Sequence, residues 1–248
     1  MKIIALDFDG VISDSINECL LVGYNAYVDY KGESGFLTSI NLIDRDQYHL
    51  MILYRRFVFS AEDYIFINYA IDNKYELKSH ENFQQFVNKY RSLSKTFYEL
   101  FYFHREELFN SNKKIWLKLN PLYNGIYNYL KNRKNEKNLY IISTKKEKYI
   151  FEILKGYDLE FNPKRIICAT KNNNKKKIIN KLIIKYKIEA KQVFFIDDQI
   201  HTLIETKRIG TNSYLAAWGY NTNEDKNIAK INQIPALTIN RFINNGIF

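Results

Sequence analysis

Lys2-Ile3-Ile4-Ala5-Leu6-Asp7-Phe8-Asp9-Gly10-Val11-Ile12 decides how the rest of the chain is read. The run from Ile3 to Leu6 is apolar and rich in isoleucine, which predicts a buried strand, and it stops at two carboxylates one residue apart. Side chains two positions apart on a strand share a face, so Asp7 and Asp9 are expected to converge on one ligand beyond the strand's carboxyl end. Gly10 lets the chain turn sharply where a side chain would obstruct it. Carboxylates at the carboxyl edge of a buried strand suit the active site of an open α/β sheet. A lone Asp after a strand usually does no more than start a helix. Two of them, joined by three later polar segments, point to chemistry.

Working outward, further buried strands are expected at 139–142, ending at Ser143-Thr144, at 165–169, and at 193–196, ending at Asp197-Asp198; residues 213–218 continue the apolar pattern. Helices are expected to about Tyr30 from a start near Ile16, and at 122–131, 147–155, 176–186 and 200–207. Strands alternating with helices predict βαβ units and a doubly wound parallel sheet with helices on both faces. Between the first two strands the pattern is helical from about Asn41 to Leu119. Ser60-Ala61-Glu62-Asp63 reads as a capping box, and one long helix is expected over 80–109, its Phe83, Phe86, Phe97 and Phe101 stripe serving as core. The expected organisation is an α/β core from 1–14 and 120–248, with an inserted all-helical domain over 15–119.

The 248 residues are enough for a substantial core, and no 18-residue apolar run is present to span a membrane. Asp7 interrupts the first apolar run, so a secretory signal is not expected there. Two cysteines, Cys19 and Cys168, are too few and too distant for a disulfide framework, which points to a reducing cytoplasm. The net charge of +10 is uneven: residues 113–191 carry 21 Lys and Arg against 6 Asp and Glu, and the remainder 16 against 21. A basic half attracts phosphate-bearing ligands or nucleic acid. A chain rich in Lys, Asn, Ile and Tyr also gives such a half by composition alone, with its lysines on solvated helix faces.

In a parallel sheet the loops after the strands gather at one edge. That edge is expected to hold Asp7, Asp9, Ser143, Thr144, a lysine from the 171–177 run, and Asp197 with Asp198. Four carboxylates together repel unless a cation sits among them, and oxygen donors without His or Cys favour Mg²⁺. A hydroxyl and a lysine complete an anion pocket, the inventory that phosphoryl transfer needs. His49, His80, His104 and His201 are not expected to cluster with a carboxylate pair, so no zinc site is suggested.

Asp7-Phe8-Asp9-Gly10-Val11-Ile12-Ser13-Asp14-Ser15, Ile141-Ile142-Ser143-Thr144-Lys145, a downstream lysine and Phe195-Ile196-Asp197-Asp198 together resemble, in order, motifs I to IV of the haloacid dehalogenase-like hydrolase superfamily. Ala217-Trp218-Gly219-Tyr220 resembles the segment after motif IV in its phosphoglycolate phosphatase-like members, and the helical insertion lies where that superfamily places its C1 cap. The resemblance implies Asp7 as the nucleophile that becomes an aspartyl-phosphate, and Asp9 as general acid and then base. It implies Mg²⁺ held by Asp7, the backbone carbonyl of Asp9, Asp198, and Asp197 directly or through water. Ser143 and Lys175 would hold the phosphoryl group. Thr144 is placed with them by the motif, but Thr144-x-x-Glu147 is itself a capping box, and a helix cap is its first reading. Lys171, Lys176 and Lys177 compete with Lys175 for the motif III position.

Val11 departs from the threonine common after the glycine, a packing variation. Asp9 separates this chain from relatives that break carbon–halogen bonds, because a C–O–P ester needs the acid Asp9 supplies. The implied function is a Mg²⁺-dependent phosphatase for a small phosphorylated metabolite. Arg45, Arg55, Arg56 and Arg105 in the insertion are candidates for a substrate's second anionic group. A phosphomutase with the same motifs, or a non-catalytic protein of the same fold whose basic half binds nucleic acid, are the alternatives.

Overall fold

Six parallel strands form one sheet in the computed structural model, which describes residues 1–244. They are β1 (Ile3–Leu6), β2 (Leu139–Ser143), β3 (Ile166–Cys168), β4 (Val193–Asp197), β5 (Asn212–Ala216) and β6 (Ala236–Leu237). Their order across the sheet is β3-β2-β1-β4-β5-β6. Leu6 of β1 sits in register with Ile141 of β2 on one side and Ile196 of β4 on the other, so the three strands end within two residues of one another. Strand order reverses between β1 and β4. A crevice opens at such a switch point beyond the carboxyl ends, because the flanking connections leave to opposite faces.

The period of two that predicted the strands is visible in the packing. Ile3 and Ala5 of β1, Tyr140 and Ile142 of β2, and Val193 and Phe195 of β4 share a face, where Ile178, Ile179 and Leu182 of the helix Lys175–Tyr186 cover them. Both faces of β1 are buried, which is why its sequence is continuously apolar rather than alternating. The two-residue β6, too short to leave a pattern, completes the sheet beyond β5.

The chain divides into two compact units. The sheet unit takes Met1–Asp14 and the chain from Pro121 on; the other is Ser15–Asn120. Where the chain leaves and re-enters the sheet unit, Pro121 O accepts from Asp14 N at 2.8 Å and from Ser13 Oγ at 3.0 Å. The second unit is all helix, with Ile16–Tyr30, Arg45–Arg55, Asp63–Asp72, His80–Lys89, Ser94–Ser111 and Lys113–Lys118 as its α-helices. Its interior is aromatic: Phe66, Phe83, Phe97 and Phe101 are fully buried.

Two expectations for this unit need correction. The long helix over 80–109 is two helices, separated at Tyr90 and a short turn at Arg91–Leu93. Phe86 and Phe97 both pack on the ring of Tyr69, at 6.0 and 6.1 Å. In an unbroken helix those residues would be about 16 Å apart along the axis, too far to flank one ring, so the break lets the chain fold around it. Ser60 does not open a helix either. The helix starts at Asp63, whose carboxylate accepts from Phe59 N at 2.8 Å and Ser60 N at 2.9 Å. No helix among the described residues is long and apolar enough to cross a membrane.

Candidate active site

Asp7 follows β1 directly, and Asp197 and Asp198 stand at the end of β4, so the strand-order reversal brings the three carboxylates together. Each offers an oxygen within 4.8 Å of the others, and all three residues are buried. Lys175 opens the helix after β3 and reaches into this group. Its Nζ lies 2.9 Å from Asp7 Oδ2 and 2.8 Å from Asp197 Oδ2. A lysine in the first turn of a helix opposes the helix dipole, and here the two carboxylates hold it there. Asn174 caps that helix by accepting from Lys177 N at 3.0 Å. Lys171 and Lys177 are exposed and Lys176 is half-buried, so of the four competing lysines Lys175 is the one carried into the carboxylate cluster.

Burial acts on these groups first. It pushes the Asp7 carboxyl up to about 7, against the attraction of Lys175 and with help from Asp197. Asp197 is raised for the same reason, burial outweighing Lys175. Burial opposes the charge on Lys175, but Asp197 and Asp7 more than compensate and raise it. Asp197 Oδ1 also accepts from Gln199 N at 2.9 Å.

The loop after β1 is shaped to admit Asp198. Gly10 has φ +83°, and a Cβ there would lie 2.2 Å from Asp198 Oδ2. A Cβ on Gly219 would lie 2.4 Å from Asp198 Cβ and 2.5 Å from the Gly10 carbonyl. Two glycines from distant parts of the sequence thus make room for one carboxylate. Tyr220 N donates to Asp198 Oδ2 at 2.9 Å, and the Tyr220 hydroxyl donates to Asp14 Oδ1 at 2.8 Å.

Ser143 is the buried last residue of β2, and its Oγ accepts from Lys145 N at 3.4 Å. Thr144, the next residue, is exposed. Its reading as a helix cap does not hold: the helix Glu147–Gly156 follows Lys146 with no side-chain cap, and Glu147 Oε1 instead accepts from Cys168 N at 3.0 Å. Nothing in the local sequence marks Lys145 for a role. Its side chain is fully buried and its Nζ lies 2.8 Å from Asp9 Oδ1.

The arrangement can be tested for a cation. Asp7 Oδ1 is buried and accepts no hydrogen bond from the described residues, an oxygen left for something other than protein. Within the six side chains Asp7, Asp9, Asp197, Asp198, Lys145 and Lys175, ionised carboxylates outnumber ammonium groups by two. Hard oxygen donors with that surplus fit a divalent cation of the Mg²⁺ kind.

Two groups singled out in the helical unit have other roles. Arg105 is buried against Glu18, with Nε to Oε1 and Nη2 to Oε2 both at 2.8 Å, which removes it as an anion receptor. Arg55 lies over the Tyr64 ring and Arg56 over Phe57, while Arg45 is exposed. His104 does meet two carboxylates, contrary to expectation: Nε2 is 3.0 Å from Asp29 Oδ2 and Nδ1 is 3.1 Å from Glu107 Oε2.

Comparison with known proteins agrees with this geometry. No curated protein matches the sequence. Among solved structures, a haloacid dehalogenase-like protein of unknown function from Agrobacterium tumefaciens superposes with a TM-score of 0.59 at 14% identity, over 99% of this chain and 96% of the other. A haloacid dehalogenase-like family hydrolase from Streptococcus pneumoniae gives 0.57 at 14% identity, over 96% and 94%. A predicted phosphoglycolate phosphatase from Haemophilus somnus gives 0.56 at 17% identity, over 90% and 88%. At such identities the likeness is one of fold. The family model for haloacid dehalogenase-like hydrolases matches residues 4–216, spanning every element described above from β1 to β5, and the chain belongs to that family.

Proposed function

We propose that the chain is a Mg²⁺-dependent phosphatase acting on a small phosphate monoester through an aspartyl-phosphate on Asp7. The observation that carries this reading is the clamp of Lys175 across Asp7 and Asp197, with Asp7 Oδ1 buried and given no hydrogen bond by the described residues. Asp7, the Asp9 carbonyl and Asp198 would hold Mg²⁺, with Asp197 beside them; bound there, it offsets the carboxylates' repulsion and the charge of the phosphoryl group. Lys175 does two things. It fixes the Asp7 carboxylate and adds positive charge where phosphoryl oxygens gather.

An Asp7 oxygen attacks phosphorus, the bond from phosphorus to the ester oxygen breaks, and the Asp9 carboxyl proton passes to the departing alkoxide. Water then attacks the phosphorus of the aspartyl-phosphate and gives a proton to the Asp9 carboxylate, releasing phosphate and restoring Asp7. Acid–base help of this kind is worth about 10²–10⁴ in rate. Ser143, and Thr144 beside it, would donate to the transferring oxygens; Ser143 Oγ already accepts from Lys145 N, so its own proton is available to the ligand. The helical unit is the proposed cap. Among the described residues Cys19 and Cys168 form no disulfide, which fits a reducing, cytoplasmic setting.

Phosphate release from p-nitrophenyl phosphate tests the reading. Turnover with Mg²⁺ is expected to stop with EDTA and with Asp7→Asn. Full turnover in Asp7→Asn would remove Asp7 as nucleophile.

A further inference from the structure

We propose that Lys145 is a positioning residue for Asp9, fixing the direction in which that carboxyl gives and takes its proton. The inference rests on the reading of Asp7 and Asp9 above and gives a role to Lys145, which closes the motif II segment without one. Lys145 stands two positions past Ser143, at the mouth of β2, yet its side chain is completely buried. It crosses from β2 to the loop after β1, with Nζ 2.8 Å from Asp9 Oδ1 and 5.6 Å from the centre of the Phe8 ring. Asp9 itself keeps 19% of its side chain exposed, so the carboxylate has a solvent face while the lysine has none.

Burying an ammonium is costly, and a neutral side chain would fill the space between two loops more cheaply. What an ammonium adds is direction. An Asp side chain has two rotatable bonds, and a charged hydrogen bond to Oδ1 fixes the plane in which both oxygens lie. The same residue, through its backbone N–H, occupies one acceptor position of Ser143 Oγ. Lys145 thus touches two of the residues that the proposed reaction uses, Ser143 and Asp9. General acid catalysis depends steeply on such alignment.

The experiment separates alignment of Asp9 from support of the fold. p-Nitrophenolate leaves without a proton, so phosphorylation of Asp7 by p-nitrophenyl phosphate does not need Asp9, whereas hydrolysis of the aspartyl-phosphate does. Lys145→Met is expected to keep a rapid burst of about one p-nitrophenolate per active site and then turn over about 10²-fold more slowly, within the range set by acid–base help. With glycerol phosphate, whose alkoxide must be protonated, the first step itself slows and no burst appears. Lys145→Arg, which restores a cation to the same carboxylate, regains part of the turnover. If Lys145→Met does not fold, Lys145→Gln is expected to give the same split to a smaller degree.

Equal losses in burst and turnover, a rise in KM alone, or unchanged kinetics would overturn the positioning role. A wild-type chain with no Asp7-dependent turnover on either ester would overturn the functional reading, and this inference with it. Normal wild-type turnover beside an unsplit Lys145→Met overturns the inference alone.

Discussion

Each unit of the chain buries a cluster of charge, and the two are built to opposite plans. In the helical unit Glu18 is fully buried, takes two 2.8 Å bonds from Arg105, and accepts from Trp116 Nε1 at 3.2 Å. The charges cancel, and both carboxylate oxygens have donors. Around Lys175 in the sheet unit, Asp7, Asp197 and Asp198 place three carboxylates within reach of one another, and Asp7 Oδ1 accepts nothing from the described residues. A matched buried pair is a structural joint. A surplus of buried negative charge is destabilising by itself and makes physical sense where a cationic ligand completes it.

The contrast is open to direct attack. Asp7→Asn should lower phosphatase turnover by at least about 10³-fold, because it removes the group proposed to form the covalent bond. It should leave the thermal midpoint level or higher, since it relieves crowded charge; a folded, fully active variant would erase the distinction between the clusters. Arg105→Met should do the reverse. It strands a buried carboxylate and costs about 3–5 kcal/mol of stability in denaturant unfolding. Its turnover at temperatures where it stays folded should remain within about twofold, since the pair it breaks is with Glu18. The double variant Glu18→Leu/Arg105→Met should recover most of the loss.

Mg²⁺ should act on one cluster only. At a thousandfold excess over its Kd it stabilises the folded chain by about 4 kcal/mol, read as a rise in thermal midpoint reversed by EDTA. Asp7→Asn and Asp198→Asn should shrink that rise while Arg105→Met keeps it. An equal rise in all of them would place the cation elsewhere. The smallest effect concerns Asp63 in the helical unit, which burial and then Glu62 push up to about 6 against hydrogen bonds from Phe59 and Ser60. Its folded state holds a proton more tightly than the unfolded chain, so the stability this contributes is complete below about pH 4 and lost as pH rises through about 6. At most about 3 kcal/mol of stability is involved. Asp63→Asn should flatten that part of the stability profile, and an unaltered slope would rule the group out.

The charge contrast was only half visible in the amino-acid order. β1 and its two aspartates were legible because a buried strand leaves an unbroken apolar run and a carboxylate ends it abruptly. The convergence of Asp7 with Asp197 and Asp198 followed from strands alternating with helices. Lys175 could be narrowed only to a run of lysines, since nothing local distinguishes the one that the helix start turns inward. Lys145 was hidden differently: Lys145-Lys146-Glu147-Lys148 reads as a solvated charged turn, and its burial depends on a loop 136 positions away. Glu18 and Arg105, 87 positions apart, lay in helical patterns where either reads as an exposed charge. The break at Tyr90 was invisible because its apolar spacing continues through it, and Tyr69, from another helix, sets the fold-back. Thr144-x-x-Glu147 matched a capping pattern while Glu147 was already used by Cys168 N.

If the surplus-charge cluster makes Asp7 a nucleophile, Asp7 carries the phosphoryl group during turnover. Acid quenching during turnover of p-nitrophenyl phosphate with Mg²⁺, followed by peptide mass analysis, tests it most directly. One phosphoryl group is expected on the peptide that carries Asp7, released by hydroxylamine and absent from Asp7→Asn. Steady turnover with no phosphoryl group on that peptide at any quench time, or one that persists in Asp7→Asn, would contradict it.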